Sequence, residues 1–321
     1  MPVDPAPRAL TLVIPLYNEA ESLPELVAQI GTVRAALALP VSVLFIDDGS
    51  TDASWAVIRR LADADSDIGA VRFRRNFGKA AALQAGFERA TGDVVFTLDA
   101  DLQDDPAEIP GFLAALAAGK DVVSGWKQVR HDPIYKVLPS RVFNAMVSWT
   151  TGVKLHDHNC GFKAYRREVV KSVRLYGELH RFVPVLAAAQ GFRVGERVVQ
   201  HRARQFGRSK FGWQRYLKGF LDMLAVRFVT HFGRRPLHAF GAVAVLGFAL
   251  ATLLTVASLA AWVLAGYGSL GLVGLLAASV VATVSGQAFF IGMLAELVVA
   301  KLAHSSEPFA ISETLGLGVS P

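Results

Sequence analysis

The sequence of 321 residues contains a single cysteine, Cys160. One cysteine excludes an intramolecular disulfide and a cysteine-based zinc site, and it fits a reducing compartment. The N-terminal segment lacks the long apolar run of a signal peptide, so we expect none. Asn76, Gly78 and Lys79 give one segment the composition of a phosphate-binding loop, but the spacing GxxxxGK[ST] is missing. These absences argue against a disulfide-rich secreted protein and a P-loop enzyme.

Charge is also scarce in one part of the chain, between residues 237 and 295, although charged residues are distributed throughout the preceding sequence. Two apolar stretches, Leu237 to Ala265 and Ser269 to Ala295, are separated by a short uncharged link. Each is longer than the ~20 residues that cross a bilayer as a helix. The sequence therefore predicts two transmembrane helices joined as a hairpin.

Basic residues flank this predicted hairpin on both sides. Arg234 and Arg235 precede the first span, and Lys301 follows the second. By the positive-inside rule both ends of the hairpin, and therefore the preceding soluble domain, are expected to be cytoplasmic. Gln287 lies within the second stretch and Glu296 directly follows it, so we expect both to be buried against a partner helix or to lie near the interface.

Before the hairpin, short β-rich runs alternate with helical patterns. The predicted strands are Leu10 to Leu16, Val41 to Ile46, Val71 to Arg74, Val94 to Leu98, Asp121 to Ser124 and Val194 to Gln200. The predicted helices are Ala20 to Leu39, Asp52 to Ala62, Lys79 to Ala90, Pro106 to Ala117 and Val183 to Gln190. This alternation is typical of an α/β domain with a mostly parallel, doubly wound sheet.

Acidic clusters follow two of these predicted strands, as DDGS and DADLQDDP. Open α/β sheets bind their ligands at the carboxyl ends of the strands, although Asp and Gly also occur there simply because they form turns. Asp99 and Asp101 are two residues apart, so in an extended segment their side chains point the same way. Such a pair can hold Mg²⁺ or Mn²⁺, which often bridges protein carboxylates and substrate phosphates.

A basic segment, HRARQFGRSKFG, follows the last predicted strand. Apolar residues then recur at helical spacing from Trp213 to Phe228, with basic residues among them. Because this pattern immediately precedes a predicted span, it indicates an amphipathic helix at the membrane interface. The alternative is an ordinary helix packed on the soluble domain. The basic residues lie next to the predicted membrane and match no nucleic-acid motif, so no nucleic-acid partner is expected.

Several motifs in the same order resemble those of a known family. They are VIPLYNE, FIDDGSTD, RRNFGKAAALQAGFERATGD, TLDADLQDDP, DHNCGFKAYRR and RQFGRSKFGWQRY. In these motifs the chain resembles the family 2 glycosyltransferases with a GT-A fold. More narrowly, it is similar to the polyprenyl-phosphate glycosyltransferases, the group that includes dolichyl-phosphate mannose synthase and the bactoprenol glucosyltransferases. In its C-terminal tail the chain departs from the pattern, because Glu307 stands where members often have a basic residue.

The resemblance implies roles for residues in the first half of the chain. Four of them would line the nucleotide pocket: Pro15, Tyr17, Glu19 and Asp47. Asp48 would help to position the ribose or the metal. Asp99 and Asp101 would bind Mg²⁺ or Mn²⁺ together with the diphosphate, with Gln103 close by.

Further along the chain, Asp157 matches the family's candidate catalytic aspartate near the acceptor, with a turn or capping residue as the alternative. The basic loop that would face phosphates near the membrane contains Arg204, Arg208, Ser209 and Lys210. A solvated connector is the alternative for this loop. His156 and His158 flank Asp157, but their spacing fits no strong zinc pattern.

The resemblance implies an inverting hexosyltransferase of the bacterial inner membrane. It would transfer glucose from UDP-glucose, or alternatively mannose from GDP-mannose, to undecaprenyl or another polyprenyl phosphate for the cell envelope. UDP-linked N-acetylhexosamine and modified pentose donors are less favoured alternatives. The competing interpretations are a processive polysaccharide synthase and a non-catalytic membrane scaffold. The bilayer and a homo-oligomer are the other expected partners. The predicted domains are a cytoplasmic catalytic domain (1–210), juxtamembrane helices (211–236), two spans (237–300) and a cytoplasmic tail (301–321).

Overall fold

The strands of the protein form one mixed sheet. In a computed structural model, the described residues are 7–128, 134–202, 214–232, 235–264 and 269–302. They contain seven strands: β1 (Leu10–Leu16), β2 (Val41–Asp47), β3 (Ile68–Arg72), β4 (Val94–Thr97), β5 (Val122–Trp126), β6 (Lys163–Arg166) and β7 (Val194–Val198). The order in the sheet is β3-β2-β1-β4-β6-β5-β7. Strand β6 runs antiparallel to both of its neighbours, and the other pairs are parallel.

The same residues contain ten α-helices and two short 3₁₀ turns. The helices are α1 (Leu23–Ala36), α2 (Ser54–Ala64), α3 (Lys79–Arg89), α4 (Ile109–Ala117), α5 (Ile134–Thr151), α6 (Arg167–Ser172), α7 (Val183–Ala189), α8 (Gln214–Phe232), α9 (Pro236–Leu264) and α10 (Ser269–Leu302). The 3₁₀ turns are Pro106–Glu108 and Leu179–Phe182. The chain divides into two units, Met1–Val226 and Arg227–Pro321.

The central strands are buried because helices cover both faces of the sheet. Every residue of β1 and of β4 is buried, as expected for strands inside a doubly wound sheet. Their side chains alternate between two apolar clusters: Leu12 and Phe96 lie in one, and Val13 and Val95 in the other. The helix α3 approaches β1 closely, because a Cβ on Gly86 would lie 3.4 Å from the Val13 Cβ. The predicted α/β class and mostly parallel sheet are confirmed.

Four elements, β3, α5, α6 and β6, differ most from the sequence-based expectation. Strand β3 begins at Ile68 rather than Val71, because its pairing with β2 starts where Ile68 lies opposite Val43. The sequence pattern does not predict the short helix α6, and it predicts neither α5 nor β6. Neither α5 nor β6 has the residue pattern expected of its element. Helix α5 contains an internal proline, Pro139, and two of the four residues of β6 are basic although three are buried.

The helix α8 has an apolar side that packs on the first unit. Met223 and Val226 are buried in the same apolar cluster as Val147 of α5. Leu224 lies on a different side of the helix and is exposed. The part of α8 around Met223 and Val226 therefore packs within the first unit, and it also carries an exposed apolar residue. An interfacial position for this helix stays a prediction.

In the second unit, α9 and α10 pack against each other in antiparallel directions. A Cβ on Gly247 would lie 3.1 Å from the Ser285 Cβ, and one on Gly274 would lie 2.9 Å from the Ser258 Cβ. The buried residues of the seam are small and recur every seven positions: Ala244, Ala251 and Ser258 on α9, and Ala278 and Ser285 on α10. Small side chains allow two helices to approach closely. Both helices are long and apolar enough to cross a membrane.

Glu296 has a defined partner at one end of this hairpin. The backbone N–H of Leu237, in the first turn of α9, donates to Glu296 Oε2 at 3.1 Å. The first N–H groups of a helix have no acceptor within the helix, so the carboxylate of α10 supplies one for α9. Glu296 therefore contacts the partner helix, as the sequence predicts, whereas Gln287 is exposed within this unit.

Candidate active site

The predicted nucleotide-binding residues lie where parallel strands end at one edge of the sheet. Pro15 is in β1 opposite Ile46 of β2, and Tyr17 follows directly, half-buried. Asp47 ends β2. Because β1, β2 and β4 are parallel, the loops that follow them meet at the same edge, where such sheets bind ligands.

Side-chain hydrogen bonds connect the loop after β1 to the loop after β2. Asn18 adopts a left-handed conformation with φ of 57°. Its backbone N–H donates to Ser50 Oγ at 2.9 Å, and its side-chain Oδ1 accepts from Thr51 N at 2.8 Å. The N–H of Glu19 donates to Ser54 Oγ at 2.9 Å. The two loops therefore form one connected surface that carries Tyr17 and Glu19.

Asp47 and Asp48 organise the turns of this surface. Asp47 Oδ1 accepts from Ser50 N at 2.8 Å, and its Oδ2 lies 3.3 Å from Arg72 Nε. Both oxygens of Asp48 accept backbone N–H groups, from Phe77 at 2.7 Å and from Gly78 at 2.9 Å. Burial raises the pKa of Asp48, and these two N–H groups oppose that shift. Asp48 thus shapes the turn before α3, and its contact with a ribose or a metal stays a prediction.

The acidic pair Asp99 and Asp101 follows β4. Asp101 is 8% exposed, and its Oδ1 accepts from Gln103 N at 3.3 Å. Leu102, between Asp101 and Gln103, has a φ of 61°, which is strained for a branched residue. Such strain persists where the surrounding structure holds it, and it concentrates at functional sites. The carboxylate of Asp101 is therefore held by a tight turn at the ligand-binding edge.

Asp99 forms an ion pair with Lys79, the first residue of α3. The Asp99 side chain is 33% exposed and that of Lys79 34%. Burial alone would raise the pKa of Asp99, but the ammonium groups of Lys79, Lys127 and Lys163 outweigh it and lower the pKa. Asp99 is thus a carboxylate that stays charged in a cationic environment.

The segment that contains Asp157 lies beside Asp99. A Cβ on Gly161 would lie 2.7 Å from the Asp99 Cγ, so only glycine leaves room for the carboxylate in this position. The Gly161 carbonyl accepts from Thr97 Oγ1 at 2.8 Å, which fixes the segment to β4. Asp157 is buried, and its Oδ1 accepts from Asn159 N at 3.0 Å. The structure therefore brings Asp99, a candidate metal ligand, next to the segment that contains Asp157.

Sequence analysis misses two largely buried lysines near this site. Lys127 Nζ lies 2.7 Å from Asp104 Oδ1, and the side chain is 14% exposed. Lys163 is buried in β6 and donates to the carbonyl of Cys160. Burial raises the pKa of the Cys160 thiol to about 12, so the cysteine stays a neutral thiol. The two lysines belong to no recognisable motif. They are notable because of their contacts in the folded protein, which a local sequence pattern does not show.

The histidines beside Asp157 have partners of their own. His156 Nδ1 contacts Glu196, and the ring stacks on Trp126 at 4.0 Å between centroids. His158 Nε2 lies 3.0 Å from Ser148 Oγ, and burial lowers the pKa of His158 to about 4, so it is neutral at neutral pH. Across the described residues, no three His, Cys, Asp or Glu side chains converge as a metal site.

Asp99 and Asp101 nevertheless fit a hard divalent cation whose remaining ligands come from a substrate. Mg²⁺ and Mn²⁺ prefer oxygen ligands, and Mg²⁺ in particular is usually bound through one or two carboxylates plus substrate phosphates. The missing Cβ of Gly161 makes room for the Asp99 carboxylate itself at this edge of the sheet.

Arg204, Arg208, Ser209 and Lys210 lie outside the described residues. The residues just before them contact the acidic loop after β4. Arg202 N donates to the Gln103 carbonyl at 3.0 Å, and its guanidinium pairs with Asp105. The chain therefore enters the basic segment from a point beside Gln103.

Comparisons with known proteins agree with this geometry. The sequence pattern of the family described as "Glycosyl transferase family 2" matches residues 11–174. The dodecaprenyl-phosphate galacturonate synthase of Rhizobium johnstonii is 38% identical over 72% of this chain and 70% of its own length. An undecaprenyl-phosphate 4-deoxy-4-formamido-L-arabinose transferase of Klebsiella pneumoniae is 39% identical over 80% of this chain and 78% of its own length.

Solved structures show the same fold. Glucosyl-3-phosphoglycerate synthase from Mycobacterium tuberculosis, in complex with Mn²⁺, UDP and phosphoglyceric acid, superposes with a TM-score of 0.54 at 18% identity, over 70% of this chain and 78% of that one. Mannosyl-3-phosphoglycerate synthase from Rubrobacter xylanophilus gives a TM-score of 0.52 at 15% identity, over 68% and 74% of the two chains. The fold is the GT-A fold that the sequence predicts, and the chain belongs to glycosyl transferase family 2.

Proposed function

We propose that the protein transfers a sugar from a sugar nucleotide to a polyprenyl phosphate, with inversion at the anomeric carbon and with Mg²⁺ or Mn²⁺. The observation that carries the proposal is the placement of Asp99 and Asp101 at the sheet edge, next to the Asp157 segment. Both curated relatives are named for transfer to a polyprenyl phosphate. The glucosyl-3-phosphoglycerate synthase of Mycobacterium tuberculosis, which shares the fold, has been solved with UDP and Mn²⁺ or Mg²⁺ bound.

The proposed reaction depends on neutralising negative charge more than on transferring a proton. A phosphate oxygen of the acceptor attacks the anomeric carbon, and the bond from that carbon to the diphosphate breaks. Two negatively charged groups must therefore approach each other. When a divalent cation is bound at Asp99 and Asp101, it neutralises the charge on the leaving diphosphate. Cationic side chains of the basic loop would hold the acceptor phosphate against that repulsion.

Asp157 has a positioning role in this scheme. A phosphate oxygen is already a nucleophile, so a strong general base is not required. The backbone carbonyl of Asp157 is fixed by Ser124 Oγ at 3.3 Å, and its carboxylate by Asn159 N at 3.0 Å. A buried carboxylate held in this way can orient the acceptor or keep a cation beside it. One in-line displacement without an enzyme nucleophile gives inversion.

The second unit is proposed as the membrane anchor. Helices α9 and α10 would span the bacterial inner membrane, with both termini and the catalytic unit in the cytoplasm. The length and hydropathy of both helices support this, as do Arg234, Arg235 and Lys301 at their ends. Homo-oligomerisation, expected from the small residues of the spans, stays a separate proposal, because the described small residues fill the seam within one hairpin.

Glycolipid synthesis in membranes tests the reaction and its donor. We expect product from UDP-glucose, the donor predicted from the sequence, and GDP-mannose is the alternative. Nucleotide-activated galacturonate and 4-deoxy-4-formamido-L-arabinose belong in the same screen, because the relatives are named for these sugars. Mass spectrometry identifies the glycolipid, and NMR gives its anomeric configuration. A product that retains the donor's configuration contradicts inversion, and failure with every donor contradicts the proposed function.

Substitutions in the basic loop test its role towards the lipid. We expect Arg204→Ala and Lys210→Ala to raise the apparent KM for polyprenyl phosphate and to lower turnover, because a cation near the bilayer attracts and fixes the acceptor phosphate. Each removed charge should cost about tenfold, equivalent to roughly 1.4 kcal/mol. Binding of the nucleoside monophosphate should change little. Unchanged acceptor kinetics would identify the loop as a solvated connector.

A further inference from the structure

Lys79 forms an ion pair with Asp99, which is one of the two carboxylates that would bind the metal. Its Nζ pairs with Asp99 Oδ1, while the other side of the Asp99 carboxylate faces Gly161 at a distance that excludes a Cβ. A divalent cation on Asp99 would therefore meet the ammonium group at the same carboxylate. Two cations on one carboxylate repel each other, by several kcal/mol at about 4 Å near a protein surface.

The side chains of the other two lysines of this region are held more firmly than that of Lys79. Lys127 is paired with the buried Asp104 at 2.7 Å. Lys163 is buried and donates to the Cys160 carbonyl. Lys79, by contrast, is one-third exposed and has a flexible four-carbon stem. Of these three lysines, Lys79 is the one whose ammonium group can move away from its partner without leaving an unpaired charge buried in the protein.

The backbone holds the base of Lys79 in place while its side chain can move. Gly78, which precedes it, has a φ of 92°. The N–H groups of Phe77 and Gly78 are fixed by Asp48. The side chain therefore extends from a rigid turn at the ligand-binding edge, and a small rotation can redirect its ammonium group from Asp99 to a neighbouring anion.

We propose that Lys79 and the divalent cation alternate on Asp99. In the ligand-free protein Lys79 neutralises Asp99. When the metal arrives with the sugar nucleotide, Lys79 leaves Asp99 and pairs with the diphosphate. The exchange rests on the proposed function, since it requires a metal–diphosphate substrate. The exchange makes the binding of metal and nucleotide mutually dependent. A metal that binds alone displaces Lys79 from Asp99 and leaves the ammonium group without an anionic partner, whereas a metal that binds with a diphosphate brings a new partner for Lys79.

Mn²⁺ binding to the full-length protein in detergent micelles tests this exchange without measuring activity. Free Mn²⁺ is measured by electron paramagnetic resonance, with and without UDP, for the wild type, Lys79→Met and Lys79→Arg. Lys79→Met keeps most of the length of the side chain and removes its charge, and Lys79→Arg keeps the charge. We expect Lys79→Met to bind Mn²⁺ alone about tenfold more tightly, because Asp99 has lost its competitor, and to show a smaller gain from UDP.

The coupling with UDP distinguishes the exchange from a general structural effect. By linkage, the factor by which UDP tightens Mn²⁺ binding equals the factor by which Mn²⁺ tightens UDP binding. Both factors should fall together in Lys79→Met and stay near the wild-type value in Lys79→Arg. Lys79→Gln serves as a second neutral variant if the Met variant is unstable. Unchanged or weaker Mn²⁺ binding by a folded neutral variant overturns the exchange.

Asp99→Asn separates this inference from the proposed function. If Asp99→Asn weakens Mn²⁺ binding but removal of the Lys79 charge does not strengthen it, Asp99 is a ligand and the exchange alone is wrong. If Asp99→Asn leaves Mn²⁺ binding unchanged, Asp99 is not a ligand, and the metal-binding part of the proposed function is wrong together with the exchange.

Discussion

Asp101→Ala is expected to lower sugar transfer about a thousandfold, equivalent to roughly 4 kcal/mol of transition-state stabilisation. The carboxylate is held at the ligand-binding edge by the turn through Leu102 and Gln103. Its loss removes one of two protein ligands that would neutralise the diphosphate. Turnover is measured with saturating sugar nucleotide and polyprenyl phosphate, and wild-type protein in excess chelator should show a comparable loss.

The variant should still fold and insert, because Asp101 is paired locally and its truncation costs about 1 kcal/mol of stability. Asp63→Ala is the matched control, since Asp63 is an exposed carboxylate on α2. It should retain wild-type turnover. Normal turnover by Asp101→Ala, or by the wild type in chelator, would contradict a metal site at this pair.

Gly161→Ala is expected to lower kcat/KM by about 10- to 100-fold, a loss of roughly 1.4 to 2.7 kcal/mol. The added methyl group would lie 2.7 Å from the Asp99 Cγ, so the carboxylate must move. Small displacements of catalytic groups are costly because the reaction depends on their alignment. Steady-state kinetics measures the loss, and Mn²⁺ binding should weaken in parallel.

Gly31→Ala is the control for this substitution, because Gly31 on α1 has open space where a Cβ would be placed. A double variant gives a sharper test. In an Asp99→Asn background, Gly161→Ala should cause little further loss, since both substitutions act on the same group. Fully additive losses would show that Gly161 acts through something other than Asp99.

The sequence predicts the parts of the site that depend on local pattern. Asp47, Asp99 and Asp101 follow apolar strands, and the rule that ligands bind at strand ends is enough to place them together. The spacing of Asp99 and Asp101 indicates oxygen ligands for a metal. Sequence patterns alone do not assign the individual roles of Asp48 and Asp157, which come from resemblance and still await a functional test.

The remaining part of the site depends on contacts between distant segments. Thr97 and Gly161 are bonded although 64 residues separate them, and no periodicity anticipates that pairing. Strand β6 returns antiparallel and carries Lys163 into the interior, which is unusual for a lysine. The pairing of Lys79 with Asp99 spans 20 residues. These features follow from the order of strands in the sheet rather than from the residues themselves.

The bond between Leu237 and Glu296 has a consequence for biogenesis. Its partners are 59 residues apart, which at about 5–20 residues per second takes the ribosome about 3–12 s to synthesise. During that interval the start of α9 has been synthesised but Glu296 has not, so water or a lipid headgroup must accept the hydrogen bond from the Leu237 N–H. If α9 and α10 span the membrane as proposed, the insertion machinery would receive α9 before Glu296 exists, and the bond can form only once α10 is delivered.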